Sequence, residues 1–307
     1  MFKPTFPAVM IGERVLPRIG FIGAGVMGAP MIANLTKAGV EVVTLPRSDR
    51  SRERAAEAGA MEVHGVVEFA QQSDVVITML PDSPDVHDAV IDSGLIDHLR
   101  RGTIVVDMST IRPDMARQIH AALAPASVGM LDAPVSGGEA AAIDGTLSIM
   151  VGGDAGLLDQ VRPILTSLGT TITHVGGPGA GQATKAANQL VVAANLQALA
   201  EAIVLLEATG VDVEAALTAI GGGLAGSTAL ERKKKAFLSD DFRPGFRIAL
   251  HDKDLAIVES TARSAGIALP LFAVVSQIVA SLKATGRGDL DHGALLLLAR
   301  ELNGTTR

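Results

Sequence analysis

The chain of 307 residues has no cysteine, no tryptophan and no tyrosine, and phenylalanine occurs only eight times. The missing cysteine excludes disulfides, thiolate nucleophiles, cysteine-ligated zinc and cysteine-held iron–sulfur clusters, and it fits a reducing compartment. With so few aromatic rings, cores must be built from Val, Leu, Ile, Ala and Met. Positive charge is not in excess either. The formal net charge is -7, which gives no support to a nucleic-acid partner, although a local cationic pocket for a small anion remains compatible with it. No uninterrupted apolar run reaches the roughly 18 residues that span a bilayer, so no membrane partner is expected. The opening MFKPTFPAVMIGERVLP lacks a sustained apolar segment of the signal-peptide kind. Residues 1–17 are read as a flexible lead-in to a cytoplasmic protein. None of the seven histidines stands in a metal-binding spacing, so no metal is expected.

What is present is a long alternation of strand and helix. Short apolar runs at 18–23, 40–45, 74–80 and 103–107 are continuous rather than alternating, the pattern of strands covered on both faces. Further strands are expected at 128–132, 147–151 and 170–175, with helices at 26–38, 51–59, 84–91, 113–124 and 156–167. This pattern predicts an α/β fold, a Rossmann-like, doubly wound, mostly parallel sheet. After residue 176 only helices are expected. The first, over 182–209, would be about 42 Å long and serve as the spine of a second, all-α domain. Others are predicted at 212–220, 226–238, 247–265, 270–285 and 291–303. The glycine-rich stretch 176–181 sets the expected boundary: a nucleotide-binding domain over 18–181 and a helical substrate and oligomerisation domain over 182–307.

The strongest local motif is GFIGAGVMG at 20–28. Gly23-x-Gly25-x-x-Gly28 follows a strand and opens a helix. Gly23 permits the tight turn, Gly25 admits a pyrophosphate close to the backbone, and Gly28 lets helix and strand approach. The loop Gly23, Ala24, Gly25, Val26, Met27, Gly28 is thus the candidate dinucleotide cradle, with the helix N-terminus facing the phosphates. At the end of the second strand no acid is present to take the ribose hydroxyls. Arg47 stands there instead, followed by Ser48 and Arg50, and an arginine suits a 2′-phosphate. The cofactor is therefore NAD or NADP, with NADP slightly favoured. Leu80 and Pro81, at the next strand end, can form an apolar wall. Ser109 or Thr110, beyond the fourth strand, can offer a hydroxyl or cap the following helix.

A nicotinamide cofactor moves the hydride, so the protein must supply the proton. Lys185 sits near the start of the long helix, three residues before Asn188 on the same face. It is the candidate acid/base, against the blander reading of a lysine snorkelling at a domain edge. Ser136 with Gly137 and Gly138 presents a hydroxyl and unobstructed backbone N–H groups, a pocket for a small carboxylate. Lys253, between Asp252 and Asp254, is a second candidate cation or a solvated helix residue.

These pieces together resemble the beta-hydroxyacid dehydrogenase family over about residues 18–303. The matching stretches are GFIGAGVMG at 20–28, MLP at 79–81, DMST at 107–110, DAPVSGG at 132–138, Gly181–Lys185–Asn188 and KDL at 253–255. The resemblance implies that Lys185 is the general acid/base. It implies that Ser136, Gly137, Gly138 and Asn188 line the substrate site, and that Thr110 and Lys253 lie at the cofactor. It also implies a small semialdehyde or hydroxy-acid substrate and a homodimer or homotetramer. A redox-inactive nucleotide sensor on the same fold is the alternative of a different class. Lys185 with Ser136 and Asn188 argues against it, and Lys185 also weakens an imine-reducing reading.

Overall fold

The computed structural model describes residues 9–11 and 14–304. Strands β1 (Val9–Ile11) and β2 (Arg14–Leu16) pair antiparallel where an irregular lead-in was expected. The rest of the lead-in up to residue 13 lies outside the described residues. The chain then divides into two compact units, Met1–Lys185 and Ala186–Arg307.

The first unit continues with β3 (Ile19–Ile22), α1 (Gly28–Lys37), β4 (Val42–Thr44), α2 (Asp49–Glu57), β5 (Met61–Glu62), α3 (Val66–Gln72) and β6 (Val75–Thr78). Next come α4 (Ser83–His87), β7 (Ile104–Asp107), α5 (Pro113–Leu123), β8 (Gly129–Asp132), β9 (Val135–Ser136), α6 (Gly138–Asp144), β10 (Leu147–Gly153), α7 (Ala155–Leu165) and β11 (Gly169–Gly176). The strands lie in the order β11-β10-β8-β7-β6-β3-β4-β5, with β9 on β10. From β8 to β5 every neighbouring pair is parallel. Strand β10 runs antiparallel to β8 and parallel to β11.

The apolar runs are continuous because alternate residues enter different cores. Ile19, Phe21, Val75, Ile77, Ile104 and Val106 pack with Met31, Leu35 and Leu158. Ile22, Val43, Val76 and Val105 pack instead with Phe69, Leu95 and Ile119. Both faces are dry, so both register positions are apolar along the strands, and the buried polar residues Thr44, Thr78, Asp107 and Asp132 stand at strand ends. The chain turns from β3 to β4 on one side and to β6 on the other. The crevice beyond the carboxyl ends of β3 and β6 is therefore the place where such sheets bind ligands.

Several helices differ from expectation. Residues 84–91 were expected to form one helix. Instead α4 stops at His87 and a π-turn follows over Asp88–Asp92. Helices α3 and α6 and strands β5 and β9 are additional.

Helix α8 (Ala180–Ala208) begins in the first unit and runs on as the spine of the second. By length and composition it is long and apolar enough to cross a membrane, a correction to the absence of such a run noted above. Here Ala193, Leu196, Ala200 and Ile203 are instead buried in the core of the second unit. That core is completed by α9 (Val213–Gly221), α10 (Thr228–Ser239), α11 (Ile248–Ala265), α12 (Pro270–Leu282) and α13 (Leu295–Leu302). Among the described residues no strand follows β11.

Candidate functional site

The glycines of the β3–α1 loop are explained in two different ways. Gly23 has φ +109°, and a Cβ there would collide with the Met79 carbonyl. A Cβ on Gly28 would strike the Gly23 carbonyl, so the helix can approach its strand only without a side chain. Gly25 meets nothing: among the described residues, its two chain neighbours aside, no atom lies within 4 Å of its would-be Cβ. Its lack of a side chain has no steric cause inside the chain, which is what a cradle for an outside group requires. Helix α1 then starts with no side-chain cap and no acid in its first turn, leaving its N–H groups and positive dipole end for an anion. Leu80 is half-buried against Gly23, and Pro81 is exposed. The residues present thus fit a bound dinucleotide.

Arg47 stands at the end of β4 as the motif requires, but it is not idle. It pairs with Asp88 at 2.8 Å, and both side chains are 52% exposed. Exposed pairs contribute little, so Arg47 can exchange Asp88 for a phosphate at small cost. Ser48 is committed elsewhere, accepting Ser51 N–H as the cap of α2.

Ser109 does not face the crevice. It is fully buried, its hydroxyl accepts Leu80 N–H at 2.9 Å, and its own N–H donates to Asp107 at 3.1 Å. The half-buried Thr110 is the remaining hydroxyl at that strand end.

Ser109 belongs to a buried polar network not evident from local motifs. Asp107, at the end of β7, accepts from Thr78 at 2.8 Å and lies 3.4 Å from Gln182 Nε2. Gln182 also donates to the Ser109 carbonyl at 2.8 Å and accepts Ile111 N–H at 3.1 Å. Asp132, at the end of β8, accepts Gly179 N–H at 2.8 Å and Gln182 N–H at 2.9 Å. Burial pushes the Asp107 carboxyl up to about 6 against the lowering effect of its Ser109 and Thr78 bonds. Asp132 is raised as well, again by burial.

A carboxyl raised in the fold stabilises it below the unfolded value near 4, and that contribution is lost as pH rises through about 6. Asp107→Asn should therefore compare better with the parent at about pH 7.5 than at about pH 4.5. Thermal melts at the two pH values check this, and an equal offset at both would remove the assignment.

Lys185 follows on the next turn of α8, with only 6% of its surface exposed. Lysine is seldom buried so far without a partner or a purpose. Ser136 is half-buried in β9, opposite Ser148 of β10. Gly137 (φ +137°) and Gly138 (φ +69°) turn the chain into α6, and Gly138 has open space where a Cβ would sit. In the second unit Asn188 and Lys253 are connected. Asn188 Nδ2 donates to Gln189 Oε1 at 2.8 Å, Gln189 donates to Asp254 at 2.6 Å, and Asp254 pairs with Lys253 Nζ at 2.8 Å. Lys253 is therefore a partly buried, paired residue and not a solvated one. Gln189 and Asp254 carried no signal in the sequence, because each is read only through the other.

A doubly wound sheet with this loop defines a dinucleotide-binding domain. The family model described as the NAD binding domain of 6-phosphogluconate dehydrogenase matches residues 18–176. A second, described as NAD-binding of NADP-dependent 3-hydroxyisobutyrate dehydrogenase, matches residues 179–299. The chain is 38% identical to 2-hydroxy-3-oxopropionate reductase of Escherichia coli, over 91% of this chain and 96% of that one. It is 36% identical to NAD-dependent L-serine dehydrogenase of Pseudomonas aeruginosa, over 91% and 97%. The solved 3-hydroxyisobutyrate dehydrogenase of Mycobacterium tuberculosis with L-serine superposes with a TM-score of 0.87 at 35% identity, over 93% of this chain and all of that one. The chain belongs to the beta-hydroxyacid dehydrogenase family.

Proposed function

We propose that the protein reduces 2-hydroxy-3-oxopropionate (tartronate semialdehyde) to D-glycerate, reversibly, with Lys185 as general acid. The observation that carries this reading is the buried Lys185 on the first turns of α8, in a chain 38% identical to a reductase of that name. Four stretches of the second unit resemble the same enzyme: GGLAGSTAL at 222–230, FRPGFRIALHDKDL at 242–255, LPL at 269–271 and DHGAL at 291–295.

The bound nicotinamide supplies the hydride. The chain's own residues do the rest. The loop Gly23–Gly28 and the N-terminus of α1 take the pyrophosphate. Leu80 and Pro81 wall the cofactor, and Thr110 and Lys253 hold it. Ser136 and the backbone N–H groups of Gly137 and Gly138 take the substrate carboxylate. Asn188 holds the substrate hydroxyl. Protonated Lys185 donates to the oxygen that becomes the product alcohol, and as the neutral amine it accepts that proton in reverse. Fixing both reactants supplies a large part of the rate.

NADPH is the preferred reductant in this reading, because Arg47 offers a guanidinium, held only by the exposed Asp88, and the end of β4 itself carries no acid. A second reading, 3-hydroxyisobutyrate dehydrogenase or a broader glyoxylate and succinic semialdehyde reductase, is favoured by the likeness to the Mycobacterium tuberculosis enzyme.

One panel separates them: tartronate semialdehyde, methylmalonate semialdehyde, succinic semialdehyde and glyoxylate, each with NADH and NADPH. Tartronate semialdehyde with NADPH is expected to give the highest kcat/KM. Arg47→Ala should raise KM for NADPH about tenfold and leave KM for NADH nearly unchanged, the worth of one charge-assisted phosphate contact. A higher kcat/KM for methylmalonate semialdehyde moves the assignment to the second reading. An Arg47 variant that treats both cofactors alike refutes the phosphate contact.

A further inference from the structure

We propose that Asp132 and Gln182 are positioning residues for Lys185, a mount that fixes where α8 begins and which way its lysine points. This rests on the reading of Lys185 as the proton donor.

The first N–H groups of a helix have no partner within it. In many helices a local side chain takes them, and the capping box serves the N–H groups of the cap residue and of the third helical residue. Gly179 and Gln182 hold those two places in α8. Their N–H groups are both taken by one carboxylate that arrives from β8: Gly179 bonds Asp132 Oδ1 and Gln182 bonds Asp132 Oδ2. The cap is supplied across 47 and 50 residues of sequence. It therefore ties the helix to the sheet, which a local cap cannot do.

Asparagine cannot replace it. The two N–H groups sit on different carboxylate oxygens, so with an amide oxygen facing one of them the amide nitrogen, a donor, would confront the other. The carboxylate's charge also favours the positive end of the helix.

The same turn is held from a second direction. The Gln182 side chain bonds Ile111 N–H and the Ser109 carbonyl and reaches Asp107, so β7 and its following loop grip it as well. The backbone is pressed close beneath it. A Cβ on Gly152 would lie 2.6 Å from Gly181 N, and one on Gly181 would strike the carbonyls of Asp132 and Met150. Lys185 is three residues beyond Gln182, so a slip of this turn is passed directly to the ammonium group. Asp132 and Gln182 are almost wholly buried, and the network ends one turn before the lysine.

The test is a double-mutant cycle on the full chain with NADPH and 2-hydroxy-3-oxopropionate, with NADPH affinity and thermal melting measured in parallel. Asp132→Asn and Gln182→Leu are each made alone and with Lys185→Ala. Each single change should lower kcat about 100-fold, the cost of a displacement near 1 Å. Substrate KM and NADPH Kd should move less than about threefold. In the Lys185→Ala background the same changes should alter the residual rate less than about twofold, because the lysine through which they act is gone. Should Asp132→Asn fail to fold, Gln182→Leu carries the cycle. A kcat within about threefold of the parent, or a loss that multiplies undiminished onto Lys185→Ala, overturns the proposal. Should Lys185→Ala alone keep near-parental turnover, that corner of the cycle shows that the proton-donor reading has failed, and this proposal falls with it.

Discussion

Lys185→Ala is expected to lower kcat by about 10²–10⁴-fold, the range for loss of a general acid, while NADPH binding stays near that of the parent. The argument has two parts. The proposed dinucleotide cradle is built from Gly23, Gly25 and Gly28 and the bare N-terminus of α1, none of which involves the lysine. Proton delivery, in contrast, has no second candidate on the first turns of α8, where the neighbours of Lys185 are Ala183, Thr184, Ala186 and Ala187. Lys185→Met fills similar volume without the amine and should fall equally far, which separates lost chemistry from lost packing. Lys185→Arg keeps the charge but holds its proton too tightly to give it up near neutral pH, and should recover little. Steady-state turnover with equilibrium titration of NADPH measures both quantities. A Lys185→Ala enzyme within a few-fold of the parent removes the lysine from the chemistry.

Arg300→Met is expected to cost the second unit about 3–5 kcal/mol, the usual penalty for removing one partner of a buried ion group. At this size of unit the loss amounts to roughly 12–20 °C in melting temperature. The Arg300 side chain is 5% exposed. Its Nε and Nη2 reach both oxygens of Glu207 at 3.1 and 2.6 Å, and Nη1 reaches Asp240 at 2.6 Å. One guanidinium thus joins the end of α8, the left-handed residue that stops α10 (Asp240, φ 52°) and the body of α13. Removing it strips Glu207, 13% exposed, of its cation in a place water reaches poorly, while Asp240, 36% exposed, falls back on solvent. Arg300→Lys restores charge without the fork and should recover only part of the loss. A melting temperature within about 2 °C of the parent for Arg300→Met contradicts the structural role given to the triad.

The long-range pattern of the chain was legible, and its short elements were not. Each apolar run from β3 to β8 reads as a strand because both of its faces are dry. The loop Gly23–Gly28 reads as a cradle because its spacing carries its own geometry. Between the strands expected at 128–132 and 147–151 the sequence suggests no further element. That stretch contains β9 and α6, but a two-residue strand has no period to detect. The seven residues of α6 start at a glycine with no capping side chain to announce them.

Arg47 was found at the expected strand end, yet its partner Asp88 is far along the chain and its ion pair could not be foreseen. The grip of Asp132 on α8 was equally hidden. DAPVSGG and GAGQATK are each visible as strings, but nothing local says that the first residue of one caps the helix begun by the other.

Helix α8 also sets a rule about length. One residue added between Gln182 and Lys185 would rotate the lysine roughly 100° around the helix axis, with the turn before it still bolted to the sheet. No flexibility of a lysine side chain can undo such a rotation. The three-residue interval should therefore reject any insertion or deletion in functional relatives, while the exposed glycine-rich link between α9 and α10 is free to vary in length.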